Sequence, residues 1–190
     1  MAFEFPIGFD PQPSLRSEEL DLRPLQDGDR ASLAHAASDP LIWAGHPASD
    51  RHEAAAFNPY FDMLLSSGSA LVICENAGRV IGCSVLYTDT NAPSRLSIGF
   101  TFLVRDHWGG STNRCVKRLM LGHIYETASE AWFHIAPTNI RSQTATTRLG
   151  AVFTHEDDID LGGGTQRWRC YCLTEEAWSD AELQTRRSQK

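Results

Sequence analysis

Midway along the chain the hydrophobic period changes from strand-like to helical across one short segment, so a sheet must feed directly into a helix there. Residues 70–75, 79–87 and 96–104 are apolar runs of strand length. The first two are joined by Asn76-Ala77-Gly78, a hairpin signal, and the three together predict an antiparallel meander. Over 113–128, by contrast, Val116, Leu119, Met120 and Ile124 recur at helical spacing, which predicts an amphipathic helix.

The flanking sequence completes an order of elements. Residues 20–25 alternate as a first strand. Asp27 reads as the N-cap of a helix carrying Leu33, Ala36 and Ala37, which Asp39-Pro40 ends. Residues 50–67 read as a second helix, interrupted near Asn58-Pro59, with Phe57, Phe61, Leu64 and Leu65 on one side. Residues 132–135 form a short strand. Asn139 caps a helix that closes at Leu149-Gly150. Strands near 152–156 and 167–173 flank an acidic, glycine-rich connection. The predicted order is strand, two helices, three strands, helix, strand, helix, two strands: an α/β domain with a mixed, mostly antiparallel sheet over residues 20–178. Residues 1–19 and 179–190 read as flexible segments.

The segment between sheet and helix, Arg105-Asp106-His107-Trp108-Gly109-Gly110-Ser111-Thr112-Asn113, has the chemistry of an anion cradle. Glycine lets a ligand approach the main chain, and the unpaired amides and positive dipole of a helix start favour phosphate. Arg114, Lys117 and Arg118 crowd the first turns, where the dipole alone disfavours cations; a bound polyphosphate removes that conflict. The segment matches neither the P-loop nor the dinucleotide fingerprint, so ATP and NAD are not the expected ligands.

Composition narrows the partners. A net charge of -7 excludes the broad basic surface on which nonspecific nucleic-acid or anionic-membrane binding depends, and favours an amine-bearing or cationic partner. No stretch reaches the length of an apolar membrane span, and the first residues lack a secretory pattern. The five cysteines are odd in number and lie mostly in apolar stretches, as reduced cytoplasmic thiols do. No metal is expected: Cys170 and Cys172 share a strand face but are only two ligands. His155-Glu156-Asp157-Asp158-Ile159-Asp160 lacks the calcium-loop pattern, and reads as a solvated hairpin tip that could draw in a cationic acceptor.

Taken together, Ile98-Gly99-Phe100, the run from Arg105 to Gly110, the helix with Lys117-Arg118-Leu119-Met120-Leu121, and Pro137-Thr138-Asn139-Ile140-Arg141-Ser142 followed by Leu149-Gly150 resemble the GNAT acetyltransferases. Leu22-Arg23-Pro24-Leu25 and Leu173-Thr174-Glu175-Glu176-Ala177-Trp178 extend the resemblance toward the branch that includes the ribosomal-protein N-terminal acetyltransferases. The resemblance implies acetyl-CoA held in a V-shaped splay between the fourth and fifth strands, with pantetheine on main chain near Phe102, Leu103 and Val104. It places the pyrophosphate on Trp108, Gly109, Gly110, Ser111, Thr112 and Asn113, with Arg114 alongside. Asn139 and Ser142 match the family's N-x-x-S, whose side chains face the pantetheine arm or the transfer site; capping by Asn139 is compatible with that role. A homodimer through the final strands is also implied.

The chain departs from the family pattern at four positions. Asp106 stands where the phosphate loop usually has Gln or Arg, so Arg105 is expected to supply the charge; Ser111 replaces the second small residue. Ser97 stands where a glutamate often precedes the fourth strand's Ile-Gly, and Thr146 where a tyrosine often acts as acid. Acyl transfer to an amine still needs a route for the proton and stabilisation of the oxyanion. His134 is the substitute base expected from its titration range, against a purely structural histidine; His107 lies in the loop. Cys83 and Cys115 have no evident activating base, which disfavours covalent catalysis. The expectation is an acetyl-CoA-dependent N-acetyltransferase acting by direct attack of a primary amine. The alternative is a degenerate domain that binds acyl-CoA or a partner without turnover.

Overall fold

The near-continuous apolar runs become strands buried on both faces, as such runs do when helices cover both sides of a sheet. The computed structural model of the chain describes residues 3–188. Its strands are β1 (Leu15–Arg16), β2 (Leu20–Pro24), β3 (Ala70–Glu75), β4 (Val80–Tyr87), β5 (Ser97–Leu103), β6 (Glu130–Ile135), β7 (Val152–Asp160) and β8 (Thr165–Thr174). They form one eight-stranded sheet in the order β1-β2-β3-β4-β5-β6-β8-β7. Every neighbouring pair is antiparallel except β5 and β6, which run parallel.

Strand alternation sorts the core into two layers. Leu71, Ile73, Ile81 and Ile98 face one side with Phe133 and Tyr171; Val72, Cys83, Val85 and Phe102 face the other. The first layer is covered by α4 (Thr112–Tyr125) and by Trp178 of α6 (Glu175–Ser188). Val116, Met120, Leu121 and Ile124 of α4 are wholly buried, each contributing about 1.5–3 kcal/mol from area removed from water. The second layer is covered by α1 (Arg30–Ala37), α2 (Pro40–Trp43) and α3 (Ala54–Ser66). A further helix, α5 (Ile140–Thr147), follows β6 with Asn139 as its N-cap.

Several elements differ from the sequence expectation. The helix over 50–67 is not interrupted at Pro59: α3 runs through it. Burial of Phe57, Tyr60, Phe61 and Leu64 along one face outweighs the lost backbone bond. Asp27 does not cap α1 with its side chain. Asp29 instead accepts from the Gln26 amide at 2.9 Å and from Arg23 at 2.7 and 2.8 Å. Asp39-Pro40 ends one helix and also starts α2, with Asp39 capping the Leu41 amide at 2.9 Å. The acidic run 155–160 lies within β7 rather than at a tip, where Asp158 pairs with Arg167 and Glu156 with Arg169 across the hairpin. Those cross-strand pairs occupy charges that were expected to attract a cation.

The flanks also carry structure. Phe9 is buried and Phe5 packs against the same core layer, while the Thr88 hydroxyl donates to the Glu4 carbonyl at 2.8 Å. α6 continues past 178, and Glu182 receives Arg114 at 2.5 Å and Arg118 at 2.7 Å.

Candidate functional site

Parallel β5 and β6 meet at one end only. Ser97 and Trp132 are their single registered pair, reinforced by the Trp132 amide donating to the Leu96 carbonyl at 2.9 Å. Beyond that point the strands part. This is the opening expected between the fourth and fifth strands, which become β5 and β6 once the short β1 is counted. A cavity of about 700 Å³ fills the gap, walled by Gly99–Leu103 on one side and by Phe133, His134, Ile135 and Ala136 on the other. That volume lies within the range of small-molecule and cofactor sites.

The main chain of β5 is distorted inside the cavity. Cys83 pairs with Phe102 and Val85 with Gly99, leaving a bulge opposite Ser84. Phe100 sits there at φ 52, a left-handed conformation that costs a bulky residue about 1–3 kcal/mol and collects at functional sites. Its carbonyl, off the ladder, accepts from the Tyr60 hydroxyl at 3.4 Å and the Cys83 thiol at 3.7 Å. Gly99 is required by close approach: a Cβ would come within 2.7 Å of Tyr87 Cε1 and 3.2 Å of its hydroxyl. The Tyr87 phenol therefore lies directly over the bulge.

Tyr87, His134 and Asp89 form a buried chain. Tyr87 Oη is 2.9 Å from His134 Nδ1, and His134 Nε2 is 3.4 Å from Asp89 Oδ2. A neutral imidazole has one donor and one acceptor. Because the carboxylate only accepts, Nε2 carries the hydrogen and Nδ1 accepts from Tyr87. Burial lowers the His134 pKa to about 4, with Asp89 opposing that shift, and burial pushes the Tyr87 phenol upward. The histidine is thus neutral at physiological pH, both structurally satisfied and in the cavity wall.

On the opposite wall, Lys117 of α4 is buried and donates from Nζ to Thr101 Oγ1 at 2.8 Å, while Thr101 Oγ1 lies 2.7 Å from the Ser84 hydroxyl. Among the described residues no carboxylate pairs with Lys117, and burial lowers its pKa to about 7. The sequence reading grouped this cation with Arg114 and Arg118 as charge for a polyphosphate at the first turns; its position in the helix turns it into the cavity wall, onto Thr101.

The glycine segment closes one mouth of the cavity. Arg105–His107 is a short 3-10 turn. The Trp108 amide is spent on the Arg105 carbonyl at 3.0 Å and its indole on the Leu103 carbonyl at 2.9 Å. Gly109 has φ 73, a region glycine enters without a Cβ penalty. Among the described residues, the amides of Gly109, Gly110, Ser111, Thr112 and Asn113 have no protein partner, and Ser111 caps α4 without a side-chain bond. The neighbouring polar side chains already have partners: Arg105 pairs with Asp39 and Asp106 with Arg79 at 2.7 Å, and His107 Nε2 lies 3.0 Å from Glu75 Oε1. Arg114 and Arg118 share Glu182. Asp106 therefore points away from the cradle. The cation facing it is Arg141, stacked 4.3 Å over Trp108 and donating to the Ile42 carbonyl at 2.7 Å.

Asn139 Oδ1 accepts from the Ser142 amide at 3.1 Å, the capping geometry, and both residues line the cavity. Thr146 is there too, while the Ser97 hydroxyl is buried without a partner among the described residues. Cys83 is buried with its thiol pushed up to about 12, and Cys115 donates to Ser17 Oγ at 3.4 Å; among the described residues neither hydrogen-bonds a histidine or carboxylate that could take its proton. Tyr60 and Tyr87 escaped the sequence reading because no motif marks them, while Lys117 entered it only as one of three first-turn cations and Arg141 only as part of the run 137–142. The one available signal was Tyr87 and Lys117 as polar groups inside otherwise apolar periodic runs.

A family model described as Acetyltransferase (GNAT) domain matches residues 19–152. No curated protein matches the chain. Among solved structures, a GCN5-related N-acetyltransferase from Brucella melitensis is 17% identical, with 90% of this chain and 83% of that one covered at a TM-score of 0.72. An acetyltransferase from Agrobacterium tumefaciens is 20% identical, covering 86% and 95%, at 0.61. Mycobacterium smegmatis RimJ, solved in complex with CoA-disulfide, is 16% identical, covering 87% of each chain, at 0.61. At these identities the structures speak for the fold.

Proposed function

The chain belongs to the GNAT acetyltransferase family, and from that premise we propose that it transfers the acetyl group of acetyl-CoA to a primary amine of a small molecule or protein N-terminus by direct attack. The observation that carries this reading is the single registered pair between β5 and β6. It leaves the inner edge of β5 open to a cavity, where an extended arm with two amides can pair as a strand would. The Val104 amide is committed to Ile81 on the β4 side, so by alternation Leu103 presents its amide to the opening. Phosphates rest on the amides from Gly109 to Asn113 at the α4 dipole, with Arg141 supplying the charge that Arg105 and Arg114 give to Asp39 and Glu182. Ser142, held by the Asn139 cap, faces the same arm.

The amine nitrogen attacks the thioester carbonyl, the C–N bond forms, and the C–S bond breaks with the thiolate leaving. The proton released from nitrogen passes through the Tyr87 hydroxyl to His134 Nδ1, which gains a cation beside Asp89 as it forms. A low ground-state pKa keeps the imidazole free to receive that proton, and Asp89 stabilises the transient imidazolium. Lys117 supplies the acid for the thiolate that Thr146 cannot; an amine near pKa 7 suits that task at neutral pH.

Calorimetry with acetyl-CoA, followed by an amine and peptide screen reading free CoA, tests the proposal. We expect binding and thiol release with at least one acceptor. Absence of binding at millimolar acetyl-CoA refutes the reading, and binding without thiol release across the screen returns the non-catalytic domain. The five free thiols fit a cytoplasmic setting, and among the described residues no helix is long and apolar enough to cross a membrane. A homodimer would use the β7 edge, where Val152 and Phe153 are exposed.

A further inference from the structure

The cavity carries a charge pattern opposite to that of the chain. The protein has a net charge of -7, yet no Asp or Glu is among the residues lining the cavity, which include Arg51, Arg141, Arg148 and Lys117. Arginines elsewhere are mostly tied to acids, as in Arg16–Asp21, Arg23–Asp29, Arg30–Asp62 and Arg79–Asp106. Arg51, Arg141 and Arg148 have no carboxylate within ion-pairing distance among the described residues.

Arg51 is set apart from the glycine segment. It follows α2 and stacks 3.8 Å over the Tyr60 ring and 5.5 Å from that of Trp43. These belong to the layer beneath α1–α3, on the other side of the sheet from α4. Tyr60 reaches the Phe100 carbonyl at the bulge, so one tyrosine side chain separates the guanidinium from the point where Tyr87 lies over Gly99. His46 stands beside Trp43 at 5.8 Å between ring centroids. Burial, and then Arg51 and Arg141, lower its pKa to about 4: a half-enclosed region of positive potential with no carboxylate paired to either arginine among the described residues.

An unbalanced guanidinium on aromatic walls is a receptor for a planar anion, which it binds through two parallel hydrogen bonds. We propose that the acceptor is a small amine that also carries a carboxylate, an amino acid or similar compound, with the carboxylate on Arg51 and the amine at the bulge beneath Tyr87. The proposal rests on the acetyl-transfer reading above and adds the substrate class to it. The net acidity of the chain favours an amine-bearing or cationic partner, but no Asp or Glu lines the cavity, so the acids of the surface do not set the charge the acceptor meets there.

The test is steady-state kinetics at saturating acetyl-CoA with matched acceptors: amino acids, their amides, simple alkylamines, and peptides with free N-termini. Amino acids should exceed their amides in kcat/KM by about 10- to 100-fold, the worth of a charge-assisted hydrogen-bonded pair. Arg51→Gln should raise KM for the amino acid by a similar factor, raise it far less for the amide, and leave acetyl-CoA binding by calorimetry unchanged; Arg51→Lys should recover part of the loss. Equal rates for acid and amide, or a preference for peptides, overturn the proposal. So does an Arg51→Gln variant that weakens acetyl-CoA rather than the acceptor. If the wild-type protein fails to bind acetyl-CoA, the functional reading itself is what has failed.

Discussion

Replacing Lys117 with methionine should stabilise the protein, by an amount that depends on pH in a defined way. Burial lowers this ammonium from 10.5 to about 7, and each unit of that difference corresponds to about 1.36 kcal/mol. Below pH 7 the lysine is protonated in both states, and its desolvation costs roughly 4–5 kcal/mol. The bond to Thr101 returns about 1 kcal/mol of that. Methionine keeps the volume and removes the charge, while Thr101 retains its contact with Ser84. Between pH 7 and about 10 the unfolded chain holds a proton that the folded chain has lost, so wild-type stability rises with pH relative to the variant. The stability gap should therefore be about 2–4 kcal/mol in favour of Lys117→Met near pH 6, shrinking above pH 7 by up to about 1.4 kcal/mol per pH unit. Urea unfolding of both proteins from pH 6 to 9.5 reads the gap directly. A gap independent of pH, or a methionine variant less stable at pH 6, would refute the reasoning.

The same variant should lose activity while gaining stability, since a cost retained in a cavity wall marks a group kept for chemistry. Tyr87→Phe and His134→Ala should each lower kcat by about 10²- to 10⁴-fold while acetyl-CoA still binds; an unchanged pH-rate profile for His134→Ala would reject the relay. Gly82→Ala would place a Cβ 2.1 Å from the Phe102 carbonyl oxygen, and should cost about 1–3 kcal/mol, read as a fall in the thermal midpoint of several degrees. Deleting residues 179–190 removes Glu182 from Arg114 and Arg118, and a loss of about 1–3 kcal/mol is expected; an unchanged midpoint would show that the domain ends at 178.

Much of the architecture was legible because it follows from short-range pattern. The apolar runs at 70–75 and 79–87, the turn at Asn76-Ala77-Gly78 and the spacing of Val116, Met120 and Ile124 each specify an element from a few adjacent residues. Pro59 shows where that logic gives way: its local cost is fixed by the chain, but the face formed by Phe57, Tyr60, Phe61 and Leu64 recovers more by packing. The open amides of 109–113 were legible as glycine followed by cap-forming residues. The state of the charges around them was not, because the partners of Arg105, Asp106, Arg114 and Arg118 lie tens of residues away.

The sequence by itself determined the order of the elements from β2 to β8 apart from α2, the apolar character of the central strands, and the segment where main-chain amides are left open, since all three are set by periodicity and by backbone chemistry at neighbouring positions. The tertiary structure alone decided which polar groups meet in the cavity. Tyr87, His134 and Asp89 come from two strands and the loop after one of them, Lys117 and Thr101 from a helix and a strand, Arg51 and Tyr60 from a turn and the middle of α3. Their distances, burial and shifted acidities are properties of packed pairs, and a pair separated along the chain has no signature in either member until folding removes the water between them.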